Sequence, residues 1–148
     1  MTGPLIVGLG SHHGDDRAGW LIVDGLHEAG VPKDNLRQLR HPVDILDVLD
    51  PARHLVICDA CQGAGAVGTI HCWTWPTDRI LPLRARGTHD LEINDVLELG
   101  RGLGMRPSGI EIWGIEGQSW LPGTMMRIEV GQAIDAVAAA IRSKYFNA

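Results

Sequence analysis

The sequence predicts a three-layer α/β/α domain on a mostly parallel sheet, with one edge or antiparallel strand. Three observations point there. Leu5-Ile6-Val7 and Leu55-Val56-Ile57-Cys58 are continuously apolar, as strands buried on both faces are. Such runs alternate with helical patterns of about 10–15 residues, the rhythm of βαβ units. Gly68 to Trp75 instead alternates with period two, the mark of a strand with one solvated face.

In chain order, Leu5-Ile6-Val7 enters the glycine loop Gly8-Leu9-Gly10 and is the first strand. After Ser11-His12-His13-Gly14, Asp15-Asp16 can cap a helix whose Trp20, Val23, Leu26 and His27 form one stripe, stopped by Gly30 and Pro32. A weak strand from Asn35 to Arg40 and a short amphipathic helix from Val43 to Leu49 lead to Asp50-Pro51. Arg53 to Cys58 repeats the first strand's pattern, ends at Asp59 and is expected to be central. In the period-two segment Ile70, Cys72 and Thr74 share one side and His71, Trp73 and Trp75 the other. Pro76 to Gly87 is irregular. Leu91, Val96, Leu99 and Leu103 then mark a helix that Gly104 and Pro107 end, and Ile110 to Ile115 is the last strand. Val130, Ile134, Val137, Ile141 and Tyr145, spaced 4-3-4-4, mark a closing helix.

A chain of 148 residues fits one domain, 1–148, and a chain of this size buries roughly 70% of the surface its unfolded form exposes. No linker, repeat or low-complexity segment divides it. The formal charge is −5, with no Lys/Arg run, which argues against nucleic acid and anionic lipid as partners. Apolar stretches are broken every few residues, far short of the ~20 a spanning helix needs. Met1 to Gly10 has no basic start and no apolar core of a secretory signal, so the expected compartment is the cytoplasm. Three cysteines at uneven spacing, Cys58, Cys61 and Cys72, suit reduced thiols.

In a parallel sheet the ligand crevice lies outside the carboxyl ends of the strands. That rule selects Asp16 in the first loop, Asp59 at the end of the central strand, and His89 just ahead of the Leu-rich helix. Two carboxylates and an imidazole form an O/O/N donor set that suits a borderline divalent ion such as nickel, zinc, iron or manganese. Taken singly, Asp16 reads as a helix cap, Asp59 as a turn residue and His89 as a loop histidine; their expected convergence is what favours a site.

Other motifs are weaker. Gly8-Leu9-Gly10-Ser11-His12-His13-Gly14 is one residue longer than the dinucleotide fingerprint. Cys58-Asp59-Ala60-Cys61 overlaps a strand end and does not open a helix, where a redox pair gains its low thiol pKa; a zinc knuckle adding Cys72 and His71 competes with buried free thiols. His27-Glu28-Ala29-Gly30-Val31 lacks the second His of a zinc peptidase helix, and Gly117-Gln118-Ser119-Trp120-Leu121 lacks the last Gly of a nucleophile elbow. Of five Trp, Trp20 and Trp113 read as core, whereas Trp73, Trp75 and Trp120 fall near edges or loops, where exposed aromatics anchor partners.

Leu5-Ile6-Val7-Gly8-Leu9-Gly10, Gly14-Asp15-Asp16 with Gly19, Leu55-Val56-Ile57-Cys58-Asp59-Ala60 with Gly63, Gly65 and Gly68, His89, and Ile112-Trp113-Gly114-Ile115-Glu116-Gly117 with Pro122-Gly123 occur in this order over nearly the whole chain. Together they resemble the hydrogenase maturation protease family, endopeptidases that trim the C-terminal extension from the large subunit of nickel–iron hydrogenases once nickel is in place. The resemblance implies a hydrogenase large-subunit precursor as partner and a divalent metal, nickel carried by that precursor, as the ion met. It places the family's metal-contacting acids on Asp16 and Asp59 and its histidine on His89, as both metal-engaging and catalytic residues. Ser11 stands where members commonly carry Asn, and Arg17 where they carry Gly, with His12 and His13 in the same loop, so a divergent subgroup is implied.

The implied mechanism is peptide hydrolysis in which a metal held by Asp16, Asp59 and His89 polarises the scissile carbonyl or activates water, or in which a carboxylate is the general base. A non-catalytic metal-recognition or chaperone-like protein of the same fold is the alternative. Recognition of a large precursor requires a docking face, for which His12, His13, Pro76 to Gly87 and Trp120 are the candidates. Arg79, Arg84 and Arg86 give it positive charge to steer an acidic surface.

Overall fold

In the computed structural model, which describes residues 3–63, 65–76 and 92–147, the apolar runs are strands: β1 (Leu5–Leu9), β2 (Leu36–Leu39), β3 (Leu55–Cys61), β4 (Ile70–Trp75) and β5 (Ile110–Glu116). Three helices, α1 (Ala18–Glu28), α2 (Ile93–Gly102) and α3 (Ile128–Tyr145), accompany them. The strands pair in the order β2-β1-β3-β5-β4. Only the last pairing, β4 on β5, is antiparallel. The three-layer α/β/α architecture expected from the sequence is therefore the one found.

Strand parity assigns each side chain to a layer. Ile6, Val56, Cys58 and Ile115 join α1 and α3 in one core. Leu5, Val7, Leu9, Ile57 and Ile112 join α2 and the turn before β3 in the other. Every residue of β1 and β3 is buried, which is why Leu5-Ile6-Val7 and Leu55-Val56-Ile57-Cys58 are continuously apolar. At the edge, β4 alternates between exposed and covered residues up to Trp75, as read from its period-two pattern.

The helical faces differ from the sequence reading. In α1 the buried residues are Ala18, Gly19, Ile22, Val23 and Leu26, while His27 is exposed and Trp20 half-buried. The cause is how closely the helix approaches the sheet. A Cβ on Gly8 would lie 2.2 Å from the Gly19 carbonyl oxygen, and one on Gly19 would lie 2.1 Å from that of Leu9 and 2.5 Å from that of Cys58. Small residues must therefore face the sheet, and Trp20 is turned to the rim, where its indole N–H donates to the Leu39 carbonyl at 2.9 Å. In α2, Val96 of the expected stripe is buried together with Ile93, Leu97 and Gly100, while Leu99 is 44% exposed and Leu103, just past the helix, 62%. Here Gly100 is the contact point, since a Cβ there would meet the Leu49 side chain at 2.7 Å. The stretch expected as a helix from Val43 to Leu49 is a 3-10 turn, Pro42–Asp47.

Asp15 and Asp16 lie in another 3-10 turn, Gly14–Arg17, and neither caps α1 through its side chain. Asp15 is fully buried. Its Oδ2 accepts the backbone N–H groups of Gln118 at 2.7 Å and Ser119 at 2.8 Å, and its Oδ1 accepts that of Arg127 at 2.8 Å. Its own N–H donates to the Ser119 carbonyl at 2.6 Å. One carboxylate thus joins the loop after β1 to the loop after β5 and to the start of α3. Gly14 completes the junction: its φ is +50°, and a Cβ there would lie 2.2 Å from the Ser119 oxygen.

Three substitutions test these contacts. Gly19→Ala should cost about 3 kcal/mol or more in urea unfolding, because backbone lies on every side of the new methyl. Gly25→Ala in the same helix, whose Cβ would make an ordinary 3.6 Å contact with Ala138, should gain roughly 0.5–1 kcal/mol. Asp15→Asn should lose about 3 kcal/mol, since an amide cannot accept at both ends and buried N–H groups lose their partner. Hydrogen exchange should then accelerate at the amides of Gln118, Ser119 and Arg127.

Candidate functional site

The chain leaves β1 through α1 toward β2 on one side, and leaves β3 toward β4 and β5 on the other. The carboxyl ends of β1 and β3 therefore flank the point where strand order reverses, the place where open α/β sheets bind ligands. The turn holding Asp16 lies against the end of β1, since a Cβ at Gly10 would sit 2.7 Å from the Asp16 carbonyl oxygen.

Asp16 is 4% exposed and accepts the Ser11 hydroxyl at Oδ2, 2.6 Å away. Ser11, standing where Asn is usual in the resembled family, thus supplies the carboxylate with a donor. Asp16, Ser11, His13, Arg40, His41 and Trp120 line a cleft of about 240 Å³. The two loop histidines separate: His13 faces this cleft, whereas His12 packs edge-on against Trp20 with ring centroids 4.8 Å apart. Arg40 and His41, which follow β2, were not singled out in the sequence; a basic pair after a weak strand carries no spacing signal.

Asp59 lies inside β3 rather than at its end, since the strand runs on to Cys61. It is fully buried, and its Oδ1 accepts the N–H of Ala60 at 2.8 Å. Parity places its side chain on the α2 side of the sheet. In register, Asp59 stands beside Gly114 of β5, which stands beside His71 of β4. Asp16 thus lies in the turn that follows β1, and Asp59 lies two residues short of the carboxyl end of the adjacent β3. His89 lies outside the described residues, as do Arg79, Arg84 and Arg86 and nearly all of the irregular segment.

The thiols are poor candidates for nucleophiles. Cys58 and Cys61, three apart in one strand, face opposite layers, so neither a redox pair nor a knuckle of Cys58, Cys61, Cys72 and His71 can form. Burial, followed by the charge of Asp59, pushes the Cys58 thiol well above its ordinary pKa. Burial and then the hydrogen bond to Glu116 do the same for Cys61. Thiolate is thereby disfavoured at both.

The surface beside the cleft also differs from expectation. None of the five tryptophans is exposed, and Trp75 is buried. The exposed apolar residues here are Leu121, Met125 and Ile128, at 70%, 86% and 76%. They lie in or just after the Gly/Pro loop, where no periodicity separates a buried residue from an exposed one.

No protein-family model and no curated protein sequence matches this chain. Solved structures do. The hydrogenase maturating endopeptidase HybD from E. coli superposes with a TM-score of 0.73 at 23% identity, covering 97% of this chain and 94% of that one. The [NiFe] hydrogenase maturation protease HybD from Thermococcus kodakarensis gives 0.73 at 21% identity, covering 97% and 98%. The endopeptidase HycI from Escherichia coli gives 0.76 at 18% identity, covering 96% and 90%. The likeness read from sequence motifs thus holds in three dimensions, and the chain has the fold of the hydrogenase maturation endopeptidases.

Proposed function

We propose that this protein is a cytoplasmic endopeptidase that removes the C-terminal extension of a nickel–iron hydrogenase large-subunit precursor after nickel insertion. The observation that carries this reading is the placement of Asp16 and Asp59 at the strand-order reversal, with Asp16 facing a polar cleft, on a fold shared along the whole chain with maturation endopeptidases.

Nickel in this reading belongs to the substrate. Asp16, Asp59 and His89 are the residues that would engage it, and carboxylate oxygens with an imidazole nitrogen are donors such an ion accepts. The Ser11 hydroxyl holds the Asp16 carboxylate toward the cleft. From there Asp16 can take a proton from water as its oxygen bonds to the scissile carbonyl carbon, and the same proton can pass to the leaving amine when the C–N bond breaks. The Asp15 clamp fixes both loops of the cleft wall, so a substrate meets prearranged groups. Leu121, Met125 and Ile128 give the neighbouring surface the apolar character suited to a folded protein partner. Among the described residues no helix is long and apolar enough to cross a membrane.

The test is incubation of purified protein with nickel-loaded precursor, followed by intact-mass measurement of the large subunit. Loss of the extension is expected. Asp16→Asn and Asp59→Asn should each slow it by about 100-fold or more, with Asp16→Asn leaving the melting temperature nearly unchanged. Cys72→Ser, an exposed thiol on the opposite face of the sheet from Asp59, should cleave at the normal rate. A stable complex without shortening would replace the peptidase reading with metal recognition.

A further inference from the structure

We propose that Cys61, His71 and Glu116 form a separate site for a tetrahedral, zinc-class divalent cation. This assignment goes beyond the peptidase reading and does not depend on it. The three ligand atoms converge from three strands on the α2 side of the sheet: Cys61 ends β3, Glu116 ends β5, and His71 lies near the start of β4. In register, Cys61 pairs with Glu116, and His71 pairs with Gly114 two residues earlier on β5.

The distances fit such an ion. Cys61 Sγ is 3.3 Å from Glu116 Oε2, His71 Nε2 is 3.8 Å from the same oxygen, and all three ligand atoms lie within 4.8 Å of one another. Zinc bond lengths of about 2.3 Å to sulfur and about 2.0 Å to nitrogen and oxygen, at tetrahedral angles, require ligand separations of roughly 3.3–3.6 Å. Shifts of about an ångström or less close the set.

The surroundings orient each ligand. The second carboxylate oxygen of Glu116 accepts the Gly63 N–H, a fixing contact of the kind metal ligands usually have. The His71 ring stacks on Trp73 at 5.1 Å and 9°. Gly114 keeps the space between them clear, since a Cβ there would lie 3.1 Å from the Trp73 ring and 3.2 Å from the Cys61 sulfur. His71 Nε2 is buried and makes no hydrogen bond among the described residues, a costly state for a ring nitrogen that coordination would relieve. The His71 side chain keeps 20% of its surface at the edge strand, the side from which an ion would enter, and water would complete a four-coordinate set.

Binding balances simply. The Cys61 S–H bond breaks, its proton leaves to solvent, and a metal–sulfur bond forms. Thiolate and carboxylate together then match the dication's charge.

Chelator-treated full-length protein titrated with cobalt(II) tests the assignment. One equivalent should produce thiolate-to-cobalt charge-transfer absorption together with the intense visible bands of a four-coordinate ion. Cys61→Ser should abolish the charge-transfer band. His71→Ala, on the half-covered edge strand and with folding checked by circular dichroism, should weaken binding by roughly 100-fold. Asp16→Asn and Cys72→Ser should keep the full spectrum, so that failure here is distinct from failure of the cleavage reading. Cobalt binding without a sulfur band, a sulfur band that survives Cys61→Ser, or no binding at millimolar cobalt would each overturn it.

Discussion

The carboxylate of Asp15 is the contact on which the functional edge of this protein depends. A buried carboxylate is costly unless its oxygens are satisfied, and this one collects three backbone N–H groups from Gln118, Ser119 and Arg127. The chain segments so joined are distant in sequence and have no strand ladder to hold them together. With the clamp in place, the loop after β1 and the loop after β5 become one rigid wall, and Asp16, the next residue, is presented to the cleft. Two adjacent acids thus divide the work: Asp15 faces inward and builds the wall, and Asp16 faces the cleft.

Close backbone approach is the second constraint. Gly8 and Gly19 let α1 rest directly on β1 and β3, with carbonyl oxygens where side chains would otherwise stand. A helix packed at ordinary distance would lift the 3-10 turn that precedes it, and Asp16 with it, away from the strand-order reversal. The same approach decides which face of α1 is buried and sends Trp20 to the rim. Packing and site geometry therefore share one cause.

Parity in β3 organises the remaining chemistry. Asp59 and Cys61 project to the α2 side, while Cys58 and Ala60 pack with α1 and α3. Residues that look like a motif in sequence, Cys58 and Cys61, are separated by a layer of sheet. Cys61, His71 and Glu116 look unrelated in sequence and bring their ligand atoms within 4.8 Å of one another. Gly114 matters to both carboxyl-edge groups, because it stands between Asp59 and His71 and leaves the volume above β5 open.

The sequence by itself determined the layers, the strand identities and the central position of β3, because doubly buried strands carry continuous apolar runs and a strand with one solvated face alternates. The expectation that Asp16, Asp59 and His89 share one edge rests on chain direction, which in a parallel sheet fixes where loops emerge, and His89 lies outside the described residues. Helix faces were less legible: in α1 and α2 a glycine is the contact residue, and counting large apolar side chains picks the wrong stripe, as it did with His27, Leu99 and Leu103. The partners of Asp15, the Arg40–His41 wall of the cleft and the Cys61–His71–Glu116 cluster were decided only by the tertiary structure. Each depends on register between strands or on loops meeting across the molecule, and those distances have no counterpart in residue spacing along the chain.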